Sequence, residues 1–132
     1  MSPRWDVLVV DDEPVVRDCA RLVLEGEGMT VAAAADGAAA LAHEALADCR
    51  LVLCDMMMPG IGGLELVARI RAARPDVPIV LITGYATEAS AERAMEAGAT
   101  AFLAKPFDDS ELLDQVRRVL ERTDDAGKEG RS

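Results

Sequence analysis

Five short apolar runs recur along the chain: Val7–Val10, Thr30–Ala34, Leu51–Cys54, Ile79–Ile82 and Ala101–Leu103. Four of them lack the apolar–polar alternation of a strand with one wet face. Thr30–Ala34 is less telling, because alanine is a poor strand former. Continuous apolar runs suit strands covered on both faces, as in a parallel sheet. Helical spacing fills the intervals. Val15, Val16, Cys19, Ala20, Val23 and Leu24 form one stripe, opened by Pro14 at the first helical position and closed by Gly28. The Ala-rich stretch Gly37–Ala47 predicts a second helix, with Asp36 as its N-cap. Leu66, Val67 and Ile70 mark a third, which ends before Pro75. Ala91, Ala94 and Met95 mark a fourth, stopped by Gly98, and its thin stripe of mostly small residues predicts weak anchoring. Leu112, Leu113, Val116, Val119 and Leu120 mark the fifth, with Asp108 or Asp109 near its start. Strand then helix, five times over, predicts an α/β fold: a doubly wound five-stranded parallel sheet flanked by five helices and joined by right-handed crossovers.

At 132 residues the chain has room for one domain. We place it at 1–122 and read 123–132, polar and Gly-containing, as a disordered end or the start of a linker. Hydrophobic residues make up 51% but aromatics only 3%, so the core must rest on Ala, Val and Leu. The net charge of −10 repels phosphate backbones and argues against direct nucleic-acid binding. No apolar run approaches the ~18–20 residues of a membrane span, and the start lacks a signal-peptide pattern, so a cytoplasmic protein is expected. Cys19, Cys49 and Cys54 are odd in number and lack metal-ligand spacing, and are read as buried free thiols. His43, the single histidine, is read as a helix-surface residue, too isolated for a zinc site or a triad. Met56, Met57 and Met58 read as adaptable packing.

The polar residues fall in one place. Asp11, Asp12 and Glu13 follow the first strand, Asp55 the third, Thr83 the fourth and Lys105 the fifth. In a parallel sheet these points share the carboxyl edge, where open α/β sheets place their sites at the switch in strand order. For the order 2-1-3-4-5 the crevice lies between strands one and three, which carry Asp11, Asp12 and Asp55. Carboxylates converging to ~4 Å repel by about 4 kcal/mol per pair at an effective dielectric near 20. Lys105 supplies one compensating charge, and a hard divalent ion with oxygen ligands, Mg²⁺, supplies the rest. Beside such an ion Asp55 can act as a nucleophile and become an aspartyl phosphate, and the Thr83 hydroxyl can donate to a phosphoryl oxygen. Met58-Pro59-Gly60 and Gly62-Gly63 make the following loop a tight turn with backbone N–H groups facing an anion. Glu13 is assigned to the helix start, where its charge suits the dipole.

These stretches resemble the receiver domain of bacterial two-component response regulators: Val9-Val10-Asp11-Asp12-Glu13-Pro14, Asp55-Met56-Met57-Met58-Pro59-Gly60, Ile82-Thr83-Gly84-Tyr85 and Phe102-Leu103-Ala104-Lys105-Pro106-Phe107. The likeness covers roughly residues 5–122 and implies the flavodoxin-like order 2-1-3-4-5. It implies that Asp55 accepts a phosphoryl group from a histidine kinase or phosphotransfer protein. Asp12 then ligates Mg²⁺ directly, Asp11 does so directly or through water, and Asp55 and the backbone carbonyl of Met57 complete the protein ligands. Lys105 pairs with the phosphoryl group, Thr83 is drawn toward it, and Phe102 is the aromatic that changes rotamer with it. A cis Lys105–Pro106 bond is implied too.

The resemblance implies a switch rather than an enzyme with an external substrate: the domain catalyses only its own phosphorylation and slow dephosphorylation. The bulky Met57 and Tyr85, two residues beyond Asp55 and Thr83, flank the path of an attacking water and predict slow hydrolysis. A downstream protein or a second copy would read the face made by the fourth helix, fifth strand and fifth helix. Three rivals differ at single features. A haloacid-dehalogenase-like phosphatase needs a second Asp where Met57 stands. A flavodoxin-like FMN binder needs a phosphate-cradling loop where Asp11, Asp12 and Glu13 stand. A phosphorylation-independent binding module has no need of the full acid, Thr and Lys set. Both a free-standing receiver and a piece of a hybrid kinase or longer regulator fit these ends.

Overall fold

The computed structural model describes residues 4–84 and 87–129. Five strands, β1 Trp5–Val10, β2 Val31–Ala34, β3 Cys49–Asp55, β4 Ile79–Thr83 and β5 Ala101–Ala104, form one parallel sheet in the order β2-β1-β3-β4-β5. The helices are α1 Pro14–Gly26, α2 Gly37–Ala42, α3 Gly63–Ala73, α4 Glu88–Ala97 and α5 Asp109–Glu129. The expected architecture and strand order are those observed. None of the described helices is long and apolar enough to cross a membrane.

The uninterrupted apolar strands follow from two separate cores, one on each face. Strand side chains alternate between faces. Val7 and Val9 of β1, Leu51 and Leu53 of β3, and Val80 and Ile82 of β4 therefore point to one side, where they pack on Ala20 and Leu24 of α1 and Leu112, Val116 and Val119 of α5. Leu8, Val10, Val52, Cys54, Ile79 and Leu81 point to the other, against Ala40 of α2, Leu66, Val67 and Ile70 of α3, and Ala94 of α4. Each fully buried Leu, Ile or Val contributes roughly 1.5–3 kcal/mol.

Local signals set the helix ends. Asp36 accepts from the Ala39 amide at 2.7 Å, as an N-cap should. Asp108 accepts from the Glu111 amide at 2.8 Å and so caps α5. Gly98 stops α4 with φ of 111°, in the left-handed region open to glycine.

Five expectations need correction. The helix expected over Gly37–Ala47 breaks at His43, whose extended backbone separates α2 from a short 3₁₀ turn, Glu44–Asp48. His43 is not a plain surface residue: its Nδ1 accepts from the Ala45 amide at 3.0 Å and its ring meets Trp5 edge-on at 6.5 Å. Cys19 is exposed, while Cys49 and Cys54 are buried as expected. Val15, on the same α1 stripe, is 71% exposed, because α1 meets the sheet through Ala20 and Leu24. Met57 is exposed as well, so only its neighbour Met58 packs on the core. In addition, α5 runs to Glu129, through most of the stretch read as a tail; residues 130–132 lie outside the described residues.

Candidate functional site

Strand register builds the site. Val10 lies opposite Cys54, so the next residues, Asp11 and Asp55, come side by side at the carboxyl edge. Asp55 lies opposite Ile82, and Thr83 lies opposite Ala104. Lys105 then follows directly, its amide donating to the Thr83 carbonyl at 2.7 Å. A one-residue slip in any pair would turn these side chains to the wrong face.

Asp11, Asp55 and Thr83 are buried; Asp12 and Glu13 are exposed. One carboxylate oxygen from each of Asp11, Asp12, Glu13 and Asp55 lies within 4.8 Å of the others. The Lys105 ammonium sits among them, its Nζ 3.5 Å from Asp55 Oδ2, 3.6 Å from Glu13 Oε1 and 3.8 Å from Asp11 Oδ2. Burial pulls the Lys105 pKa down, but the charges of Asp55, Asp11 and Glu13 outweigh it, and the net shift is upward. Burial also pushes the Asp11 carboxyl up to about 6; the Glu13 amide opposes this and the Asp55 charge adds to it. Burial holds the Cys54 thiol well above its ordinary value, which makes it packing rather than a nucleophile.

Two backbone devices hold the acids. The Glu13 amide donates to Asp11 Oδ1 at 2.9 Å, and the Met57 amide donates to Asp55 Oδ1 at 3.2 Å. The loop after Asp55 thus offers one N–H to the site, while the Met56 and Gly63 amides go to the carbonyls of Ile82 and Met56. Gly63 is required there: a Cβ would lie 2.5 Å from Met56 Cα and 2.7 Å from the Asp55 carbonyl oxygen.

Oxygen donors alone, two of them buried and two exposed, match a hard divalent cation. Asp11 Oδ2 is the sharpest sign: it is buried and accepts no hydrogen bond. Such an atom costs about 1–3 kcal/mol unless something pairs with it, and Lys105 at 3.8 Å pairs with it poorly. The carboxylates of Asp11, Asp12, Glu13 and Asp55 could hold such an ion.

Asp11, Asp12, Asp55, Lys105 and Thr83 therefore come to one edge. Phe102 sits half-buried in β5 against the α3 side of the core, its carbonyl accepting from Gln115 Nε2 at 3.2 Å. The Lys105–Pro106 bond is cis. Tyr85 lies outside the described residues. Two participants were not foreseen. Glu13 reaches Lys105, a role signalled only by its place beside Asp11-Asp12. Arg17, one turn into α1, donates from Nη1 to the Asp11 carbonyl at 2.7 Å.

Residues 7–117 match the family described as the response regulator receiver domain. The chain is 37% identical over 131 residues to the alkaline phosphatase synthesis transcriptional regulatory protein SphR of Synechococcus elongatus, covering 92% of this chain and 51% of that protein. It is 40% identical over 119 residues to the C4-dicarboxylate transport transcriptional regulatory protein DctD of Pseudomonas aeruginosa, covering 87% of this chain and 25% of that one. Among solved structures, chemotaxis protein CheY4 of Vibrio cholerae aligns with a TM-score of 0.82 at 32% identity, over 87% of this chain and 98% of that one. The receiver domain of NtrX from Brucella abortus gives 0.81 at 36% identity, over 88% and 98%. The chain thus spans about half of SphR and a quarter of DctD, but matches solved receiver domains nearly end to end.

Proposed function

The chain belongs to the response regulator receiver domain family, and from that premise we propose that Asp55 is its phosphoacceptor. Receiver domains are signalling modules that interact with histidine kinases and effector domains. The observation that carries the assignment is one juxtaposition. The buried Asp55 carboxylate lies 3.5 Å from the Lys105 ammonium and beside the Asp11 oxygen that accepts no hydrogen bond, at the sheet's switch point.

A phosphohistidine of a kinase or phosphotransfer protein is the donor. An Asp55 oxygen forms the new O–P bond as the donor's N–P bond breaks, and the imidazole keeps the electron pair and takes a proton. Asp11, Asp12, Asp55 and the Met57 carbonyl would hold Mg²⁺, which would supply neutralising charge for the phosphoryl oxygens. Lys105 moves from its carboxylate partners to a phosphoryl oxygen. Thr83, at the end of β4, donates its hydroxyl to another, and Phe102 turns inward in the same state. The domain acts on no external substrate; it catalyses its own phosphorylation and slow hydrolysis. The signal passes to a protein partner or a second copy through the α4–β5–α5 face, with no direct contact to nucleic acid from this acidic domain, and the setting is cytoplasmic.

Intact-mass measurement after incubation with acetyl phosphate and Mg²⁺ tests the assignment. Wild type should gain about 80 Da, the mass of one phosphoryl group replacing a proton. Asp55→Ala, or chelation of the metal, should abolish the gain. No adduct on wild type, or an undiminished one on Asp55→Ala, would overturn it.

A further inference from the structure

The side chain of Arg71 has no part in the site chemistry, yet it donates to four backbone carbonyls. From the last turn of α3 its Nη1 donates to the Val77 carbonyl at 2.5 Å and the Pro75 carbonyl at 2.9 Å, with the Arg74 carbonyl at 3.4 Å. Its Nη2 donates to the Gly98 carbonyl at 2.7 Å. One planar guanidinium thus ties together the end of α3, the loop into β4 and the residue that stops α4. Burial lowers its pKa and the Asp76 charge opposes this, so the cation stays charged and its donors stay in place.

Among the described residues, the two ends of α4 are held by different kinds of contact. At the C-terminal end, besides Arg71, the Ala99 amide donates back to Ala94, and the Thr100 amide and hydroxyl bond to the first residue of β4, Ile79. At the N-terminal end Thr87 and Ser90 cap each other's backbone amides, at 3.1 and 3.0 Å. Between them, of the described α4 side chains only Ser90 and Ala94 are buried. A helix with so small an apolar anchor is held where its backbone is clasped.

We propose that Arg71 is the fixed pivot of α4: its guanidinium clasps the C-terminal turn to α3, so the helix re-seats from its Thr87 end. The pivoting rests on the switch reading given above; the clasp stands without it. Gly98 suits the pivot twice over. Its φ of 111° ends the helix in a conformation that other residues rarely adopt, and its carbonyl is the one that accepts from Arg71 Nη2.

Amide exchange followed by NMR on the full chain separates the two parts. In the unmodified wild type, the Gly98 and Ala99 amides should exchange at least about tenfold more slowly than those of Ala91–Arg93. Arg71→Met should erase most of that difference while Ile70 and Val80, deep in the core, keep their rates. Arg71→Lys, which keeps charge and stem but lacks the fork, should fall between. Unchanged Gly98 and Ala99 rates in Arg71→Met, or rates that rise only in step with Val80, would overturn the clasp. With Mg²⁺ and beryllofluoride, wild-type shifts should diminish from Thr87 toward Gly98, and in Arg71→Met they should extend through Thr100. Equal wild-type shifts at both ends would overturn the pivot. If Asp55 and Met56 themselves did not shift, the phosphoacceptor assignment and the pivot would fall together, and the clasp would stand or fall on the exchange rates.

Discussion

Asp11 is the residue whose environment departs furthest from its chemistry. It is a buried carboxylate with one oxygen that accepts no hydrogen bond, and its pKa is pushed up to about 6. Its folded pKa lies above the unfolded value of 3.8, so the native state takes up the proton first. Asp11 therefore costs the metal-free chain stability at pH 7, on the order of 2–3 kcal/mol, and the cost fades as pH falls from about 6 toward 4. Asp11→Asn should then stabilise the chain in chelator at pH 7. The gain over wild type should shrink at pH 5, as read by urea denaturation at the two pH values. The same substitution should abolish Mg²⁺ binding, and in wild type that binding should weaken roughly tenfold per pH unit below about 6. Met57 makes a second point at this scale. Its amide holds Asp55, but its exposed thioether offers nothing to orient a water. Met57→Asn should shorten the half-life of the phosphorylated chain severalfold; an unchanged half-life would mean that this position does not govern hydrolysis.

Elements carry the site only as well as their junctions are made. At the start of α3, backbone atoms of Asp55 and Met56 stand where a Cβ on Gly63 would go, and neither is a flexible side-chain end. Gly63→Ala must move the loop that presents the Met57 carbonyl and amide. The expected cost is about 1–3 kcal/mol in thermal unfolding, with Mg²⁺ affinity lost disproportionately. An unchanged affinity would show that the loop gives way elsewhere. The strands and the acidic edge were legible because period and position are local: a buried run ends and a carboxylate follows. The break at His43 was not, because the pattern over Gly37–Ala47 is equally helical on both sides. The side chain stopping α2 caps the next turn and meets Trp5, which is far off in sequence. The α1 stripe misled for a related reason. Val15 and Cys19 have helical spacing with Ala20 and Val23, but α1 packs on the sheet and α5 through Ala20 and Leu24, and Val15 and Cys19 stay outward. Glu13 was placed correctly at the helix start, while its reach to Lys105 depends on β5 running two residues past the level at which β1 ends, a register set across three strand pairs.

For the molecule as a whole, the question is how one added group is felt across the sheet. Turning a two-state equilibrium from about 1:99 to 99:1 takes some 5.5 kcal/mol of differential stabilisation. A single hydrogen bond to a charged phosphoryl oxygen supplies about 1.5–3 kcal/mol. In the proposed switch the Thr83 contact alone is therefore too small, and the balance would come from Lys105 leaving its three carboxylate partners and from repacking around Phe102. The structure sets these on one route: Thr83 and Ala104 are paired in register, Lys105 bonds back to the Thr83 carbonyl, and α4 follows β4 with little apolar anchorage. With Mg²⁺ and beryllofluoride, backbone NMR shifts should spread through residues 83–107 rather than stay around Asp55. Thr83→Ala should still take up the adduct but populate the shifted state less, by a factor of roughly ten to a hundred in the equilibrium. Full loss of the distant shifts in Thr83→Ala would mean that the hydroxyl alone throws the switch. Shifts confined to the neighbourhood of Asp55 in the wild type would mean that the charge is taken up locally and α4 receives no signal.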